Sequence, residues 1–299
     1  MPELPDVTIY VERLTALLAG RTLAAVRLNS PFLVRTADPP VKAAQGRVVM
    51  GFRRIGKRVV WELEGELFLV IHLMIAGRFH WKKAGAGIGG KINLAGFDFD
   101  HGTMVLTEAS PKKRASLHVV SGKAALADFD PGGLEVLEAD FPTFKAALTR
   151  ENRTVKRALT DPRILSGIGN AYSDEVLFQA RLSPIILTGR LGEEALLALY
   201  HAIRDTLTVW TDHLRSEVGE GFPEKVTAFR PDFAVHGRYG QPCPVCGSPV
   251  QRIVYAENES NYCASCQTAG KLLADRSLSR LFHGDWPKTL EELENRKRS

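Results

Sequence analysis

The sequence has little cysteine, no long apolar run and no large excess of charge of either sign. Four cysteines in 299 residues exclude a disulfide-dense secreted scaffold. The uncharged apolar run at residues 67–71 is the size of a strand and ends at His72. It falls far short of the roughly 18 residues that a transmembrane helix requires. The opening MPELPDV is acidic within six residues and has no apolar run behind it. That excludes a secretory signal and makes the cytoplasm the expected compartment. Lys plus Arg number 39 and Asp plus Glu 34, a net charge of +5, with an isoelectric point near 9.0. This balance permits a polyanionic partner without demanding one. No internal repeat is found, so a solenoid is excluded.

Against these absences the remaining composition is that of a globular protein, 44% hydrophobic and 24% charged. The length suits about two domains. All four cysteines lie close together, at Cys243, Cys246, Cys263 and Cys266, in a C-x2-C-x16-C-x2-C pattern. Two residues between thiolates let one tight turn aim both sulfurs at one ion, and two such turns complete a tetrahedron of soft ligands. Gly247 follows the first pair, where a knuckle needs a residue tolerant of positive φ. Two disulfides are the competing arrangement, and a cytoplasmic chain disfavours them. One structural zinc is expected, because four protein ligands leave no open position for catalysis.

Val7, Tyr10, Val11, Leu14, Leu17 and Leu18 recur at helical spacing until Gly20. Pro2 and Pro5 stand where a first helical turn tolerates proline. From Arg21 to about Val120 short apolar or alternating runs at 23–28, 48–52, 59–63, 67–73 and 104–107 are separated by Gly, Pro and Asp. This reads as a β-sandwich or barrel. The GAGIGG stretch, 85–90, lacks a strand-to-helix context and reads as a flexible hairpin loop rather than a phosphate cradle. Asp130-Pro131-Gly132-Gly133 marks a break. Helical texture follows at 141–150, 152–160, 171–180 and 193–218, the last with an apolar stripe of Leu196, Leu199, Tyr200, Ile203, Leu207, Trp210 and Leu214. Residues 219–238 lack periodicity and read as a mobile loop leading to the cysteines. The tail, with Leu272, Leu273, Leu278, Leu281 and Phe282, reads as a short helix and a solvated end.

Three local features could carry chemistry. With Met1 removed, Pro2 would present a secondary amine, able to attack an aldehyde-like carbon and form an iminium, with Glu3 beside it to move protons. The same Pro-Glu pair also serves simply to lead a helix. Second, 164–170, ILSGIGN, puts two glycines before a helix, where first-turn amides and the helix dipole suit a phosphate and Asn170 adds a donor. Third, the basic hairpin RRIGKR, 53–58, and the cluster Lys112-Lys113-Arg114 are either solvated turns or phosphate contacts.

Taken together and in order, these stretches resemble the formamidopyrimidine-DNA glycosylase and endonuclease VIII family of base-excision repair enzymes. The resemblance rests on MPELPDV, Gly56-Lys57, the stretch His72-Leu73-Met74-Ile75-Ala76-Gly77-Arg78, LSGIGNAYSDEVLFQARLSP at 165–184, and GRYGQPCPVCGSPV with NYCASCQ around the cysteines. It spans Met1 to about Gln267. It implies an α+β protein, with an N-terminal β-sandwich domain and leading helix (1–130), a helical domain with a helix–two-turn–helix motif (131–225), a zinc finger (226–270) and a tail (271–299), and with DNA in the cleft between domains. It further implies that Pro2 is the nucleophile at C1′, Glu3 the proton donor and Lys57 a phosphate contact in catalysis. His72, Ile75, Lys156, Asn170 and Asn258 fall on the family's DNA-binding positions. The implied activity is a DNA glycosylase with AP lyase activity on double-stranded DNA carrying a damaged base or an abasic site, acting as a monomer. A non-catalytic or lyase-only damaged-DNA-binding protein of the same fold is the alternative. An RNA-binding zinc-ribbon protein is disfavoured because the terminal proline would have no role.

The departures from the family are specific. Its finger carries a phosphate-gripping arginine twelve residues after the second cysteine, and here that position is Asn258, between Glu257 and Glu259. A charge-assisted contact is thereby lost. The family's void-filling methionine falls on Ile75, an apolar wedge all the same. The family's opposite-strand phenylalanine becomes Arg114, and residues 217–233 lack the sequence that covers an extruded 8-oxoguanine in the oxidised-purine enzymes.

Overall fold

The computed structural model describes every residue except 225, 227–229, 256–257, 275–286 and 293–299, and describes the backbone alone at Tyr255 and Asn258. The chain is α+β and divides into two compact units, residues 1–133 with 208–228, and residues 134–207 with 229–299.

The first unit begins with helix α1 (Leu4–Leu18). Pro5 sits in its first turn, and the Asp6 carboxylate accepts from the Glu3 N–H at 2.9 Å, closing a capping box. Leu4, Val7, Tyr10, Leu14 and Leu18 form its buried stripe. Nine strands follow: β1 (Thr22–Leu23), β2 (Ala25–Leu28), β3 (Arg47–Ile55), β4 (Arg58–Leu63), β5 (Leu67–His72), β6 (Gly77–Lys82), β7 (Asn93–Phe99), β8 (Gly102–Glu108) and β9 (Ser116–Ser121). They make two antiparallel sheets in the orders β1-β3-β4-β5-β9 and β2-β7-β8-β6. The apolar run 23–28 is therefore two strands in two sheets. It crosses at Ala24, whose N–H reaches the Asp98 carbonyl at 2.8 Å. The expected strands were found, but β6, β7 and β9 had no sequence signal of their own. Trp61 is fully buried at the centre of the core, with Phe97 at 4.8 Å and Phe52 at 5.2 Å between ring centroids. A short helix, α2 (Lys123–Ala127), closes this part of the chain.

The second unit carries α3 (Phe141–Thr149), capped by the Asp140 side chain on the Thr143 N–H at 2.9 Å. Next come α4 (Val155–Thr160) and α5 (Asn170–Gln179), then α6 (Glu193–Val218), which runs on into the residues grouped with the first unit. Leu196, Leu199, Ile203, Leu207 and Leu214 on α6 are buried, as the stripe required. The hairpin β10 (Gln251–Tyr255) and β11 (Asn258–Tyr262) and the short helix α7 (Ala264–Thr268) complete the cysteine-bearing module.

The segment 219–238, expected as a mobile loop, is described in part. Among its described residues, Val226, Phe233 and Val235 are buried, and the Gly221 carbonyl accepts from Arg13 Nε at 2.8 Å. These aromatic and β-branched side chains stand at irregular spacing, so their burial leaves no period in the sequence. In the tail Leu272 and Leu273 pack with Ile253 and Tyr262, while the expected helix around Leu278, Leu281 and Phe282 lies outside the described residues.

Replacing the central core residue, Trp61→Ala, is expected to cost about 3–5 kcal/mol. Phe32→Ala, at a side chain 78% exposed, is expected to stay within about 0.5 kcal/mol of wild type. Urea unfolding of the two variants checks the contrast.

Candidate active site and nucleic-acid interface

In the first unit the head of α1 is enclosed. Pro2 is buried and Glu3 is 2% exposed. Burial pushes the pKa of the amino group at Met1 below its ordinary value. Arg78 and Lys57 act in the same direction, while Glu3 and Asp6 oppose them. The Pro2 nitrogen is an amide nitrogen in this chain, so it becomes a nucleophile only when Met1 is removed. An amine uncovered there would enter surroundings that favour its neutral, nucleophilic form.

Lys57 stands in the two-residue turn between β3 and β4, next to Gly56. It is half-buried. Burial lowers its pKa, and the Glu3 carboxylate works against that shift. The neighbouring Arg58 opens β4 directly opposite His72, the last residue of β5. Burial depresses the His72 pKa to about 4, with Arg58 and Lys57 adding repulsion. Its Nδ1 accepts from the Met74 N–H at 3.0 Å. A neutral ring that accepts at Nδ1 carries its proton on Nε2, so His72 is a neutral donor rather than a cation.

The turn from Leu73 to Gly77 then crosses between the sheets. The Gly77 N–H meets the Leu73 carbonyl at 2.8 Å, and a Cβ at Gly77 would lie 2.2 Å from that oxygen. Only glycine fits, and the tightness of the turn leaves Ile75 58% exposed at its tip. Arg78 Nη1 holds the Gly77 carbonyl at 2.6 Å. Beside this turn, β8 ends at Glu108, opposite Gly77 in the ladder. The carboxylate of Glu108 accepts from the Arg114 and Ala115 N–H groups at 2.9–3.0 Å, and Lys113 Nζ donates to its backbone carbonyl. The basic cluster is thus a pinned loop, not a loose one. Sequence reading passed over Glu108, although an acid ending an apolar strand before three cations was its signal.

The second unit holds the helical motif. Asn170 is the first residue of α5, and its Nδ2 donates to the Glu259 carbonyl of β11 at 2.9 Å. Lys156 is one of the expected DNA-binding residues, and the structure encloses it. Its side chain is 5% exposed, and its Nζ is engaged by the Asp174 carboxylate and by the Asn170 carbonyl. An ammonium so enclosed requires a carboxylate partner, and that partner is Asp174. Asp174 and Glu175 were both missed. Their signal is an acidic pair on a helix whose residues 171–177 are all buried. The expectation for Asn258 concerns a side chain outside the described residues, but its backbone starts β11 opposite Tyr255.

The four cysteine sulfurs lie within 4.8 Å of one another, with Cys246 and Cys263 3.4 Å apart and Cys243 and Cys266 3.9 Å apart. Those separations are far beyond a disulfide bond of about 2.05 Å. They suit the edges of a tetrahedron with Zn–S near 2.3 Å. The Gly247 N–H closes one knuckle on the Cys243 carbonyl at 2.9 Å, at φ +73°. The Gln267 N–H closes the other on the Cys263 carbonyl at 3.0 Å. The four thiols form a structural zinc site.

Comparison with known proteins gives this geometry its class. Residues 1–124 match the formamidopyrimidine-DNA glycosylase N-terminal domain, 133–213 the H2TH domain of the same enzymes, and 240–269 the zinc finger found in FPG and IleRS. The formamidopyrimidine-DNA glycosylase of Solibacter usitatus is 32% identical over 288 residues, covering 89% of this chain and 99% of its own. That of Thermus thermophilus is 32% identical over 282 residues, covering 90% and 100%. In fold, a Lactococcus lactis Fpg solved with DNA containing an abasic site superposes with a TM-score of 0.79 at 24% identity, covering 89% of this chain and 99% of its own. Sandwich, helical motif and finger in this order define a DNA glycosylase of the zinc-finger type. The chain belongs to the formamidopyrimidine-DNA glycosylase family, whose members are bifunctional glycosylases and AP lyases. No helix among the described residues is long and apolar enough to cross a membrane.

Two outcomes are expected. Because the folded pKa of His72, about 4, lies below its unfolded value near 6.5, the unfolded chain binds the extra proton between those values. Stability therefore falls as pH drops from about 6.5 to about 4 and is at its full value above that window. His72→Asn should flatten this limb relative to wild type in urea midpoints collected across the window. Cys263→Ser should lose the metal and loosen the finger while leaving the sandwich folded, as read by zinc analysis and by circular dichroism.

Proposed function

We propose that the protein excises a damaged base from double-stranded DNA and nicks the resulting abasic site, using the amine of Pro2 after Met1 is removed. The observation that carries this reading is the buried head of α1, where a chain-terminal amine, Glu3, Lys57 and Arg78 influence one another. The Pro2 nitrogen donates its lone pair to C1′ as the glycosidic bond breaks, and that bond's electrons leave with the base. The amine's own proton goes to the departing base, and Glu3 passes a proton to O4′ as the C1′–O4′ bond opens, which yields an iminium. The iminium acidifies C2′. Loss of a C2′ proton expels the 3′ phosphate, and water then releases the amine. Lys57 and the neutral donor His72 hold backbone phosphate, and Asn170 holds phosphate from the helical motif. Ile75 fills the space that the extruded nucleotide leaves. Lys156 acts indirectly, through Asn170 and Asp174. The substrates are duplexes with an oxidised base or an abasic site, the latter as in the solved Lactococcus relative. The protein acts in the cytoplasm as a monomer.

Borohydride reduction during reaction with an abasic-site duplex tests this reading. The expected result is a covalent adduct that maps to Pro2 as the first residue of the mature chain. An adduct on a lysine, with Pro2 unmodified, would overturn it.

A further inference from the structure

Asp174 is fully buried and collects donors from three directions. Lys156 Nζ reaches it from α4, His236 Nδ1 at 2.8 Å from the segment before the cysteines, and Ser260 Oγ at 3.1 Å from β11. Two of these donors lead to Asn170. Lys156 Nζ also donates to the Asn170 carbonyl at 3.2 Å. Ser260 is the strand neighbour of Glu259, whose carbonyl accepts from Asn170 Nδ2 at 2.9 Å. One carboxylate thus fixes the backbone of Asn170 from one side and the acceptor of its amide from the other. An amide NH2 has two hydrogens. With one directed at Glu259, the second has a set direction.

The neighbouring Glu175 strengthens the frame. Its carboxylate accepts from the N–H groups of Ala234, Val235 and His236 at 2.7–2.9 Å, which holds the segment that brings His236 to Asp174. The Gly237 N–H then donates to Asn261 Oδ1 at 2.9 Å, tying that segment to β11 as well. Such a network is more than is needed to compensate one buried lysine. A single apolar pair in place of Lys156 and Asp174 would pack as well or better, but it would leave Asn170 and β11 without a common anchor.

We propose that Asp174 is the positioning residue for the phosphate contact of Asn170, setting its amide relative to the finger hairpin. The proposal rests on the reading that Asn170 meets a DNA phosphate. It gives Lys156 a role that needs no contact with DNA.

The experiment measures affinity for an abasic-analogue duplex, and its salt dependence, in N170A, D174N, the double variant N170A/D174N and the neutral pair K156M/D174N. Zinc content and thermal unfolding are measured on each. N170A should weaken binding about tenfold to a hundredfold, the worth of one hydrogen bond to a charged partner, and leave the salt slope unchanged, because a neutral amide releases no counterion. D174N should do the same with one zinc still bound, and the double variant should lose no more than either single one. Leaving a buried ammonium unpaired destabilises D174N, so K156M/D174N should recover thermal stability without recovering affinity. Affinity that returns together with stability would mean a purely structural role and would overturn the proposal. So would wild-type binding by D174N where N170A binds weakly, or losses that add in the double variant. If N170A itself binds as wild type, the reading of Asn170 as a phosphate contact fails, and the proposal fails with it. Should D174N not fold, S260A removes one hydroxyl from the same network. It should weaken binding about threefold, again without adding to N170A, and full wild-type binding by S260A would count against the proposal.

Discussion

A chain terminus ordinarily frays, because nothing offsets the entropy of holding it still. In this protein the terminus is held, and the chemistry proposed for the first unit depends on that. Leu4 and Val7 anchor α1 in the sandwich, and the Asp6 carboxylate fastens the Glu3 N–H. The first residues therefore lie out of water beside Glu3. Burial has two consequences there. It lowers the pKa of an amine, and it strengthens every electrostatic interaction the amine feels. Lys57 and Arg78 add to the first effect, while Glu3 and Asp6 limit it. The poised amine of the proposed reaction thus requires no unusual residue, only a terminus that the core does not release.

The second unit applies the same physics to a different end. A polar helix, α5, is buried over seven consecutive residues, which is costly unless each polar group finds a partner. Asp174 and Glu175 find theirs in a lysine, a histidine, a serine and three backbone amides. Apart from Lys156 on α4, those partners come from the segments that carry the finger, so the helical motif and the zinc module are set by one network. The zinc fixes the two knuckles, and the carboxylates fix what the knuckles carry toward Asn170.

Much of this was legible in the sequence where one residue type has one use. Four cysteines at two-residue spacing have few alternatives, and their sulfurs converge as the spacing requires. The stripe on α1 and the strands around Val59–Leu63 and Leu67–His72 were equally readable, because one repeating face is buried. Strands β6, β7 and β9 were not, since glycines, aspartates and histidines interrupt their apolar residues. The division of 23–28 between two sheets was also invisible, because a crossing at Ala24 leaves no trace in polarity. For the site, resemblance named Pro2, Glu3, Lys57 and Asn170, yet it could not tell that Lys156 points inward. The carboxylate that encloses Lys156, that of Asp174, lies eighteen residues further along the chain. Long-range pairing of buried charge is what local pattern cannot supply.

In the proposed reaction a terminal amine at Pro2, and no other nucleophile, opens the abasic sugar. This is tested most directly by comparing the natural chain with one carrying a retained extra residue ahead of Pro2. Strand nicking at an abasic site and duplex affinity are measured in parallel under single-turnover conditions. Nicking should fall by at least about a hundredfold while affinity stays unchanged, because only the amine has been capped. Nicking at the natural rate by the extended chain would contradict it.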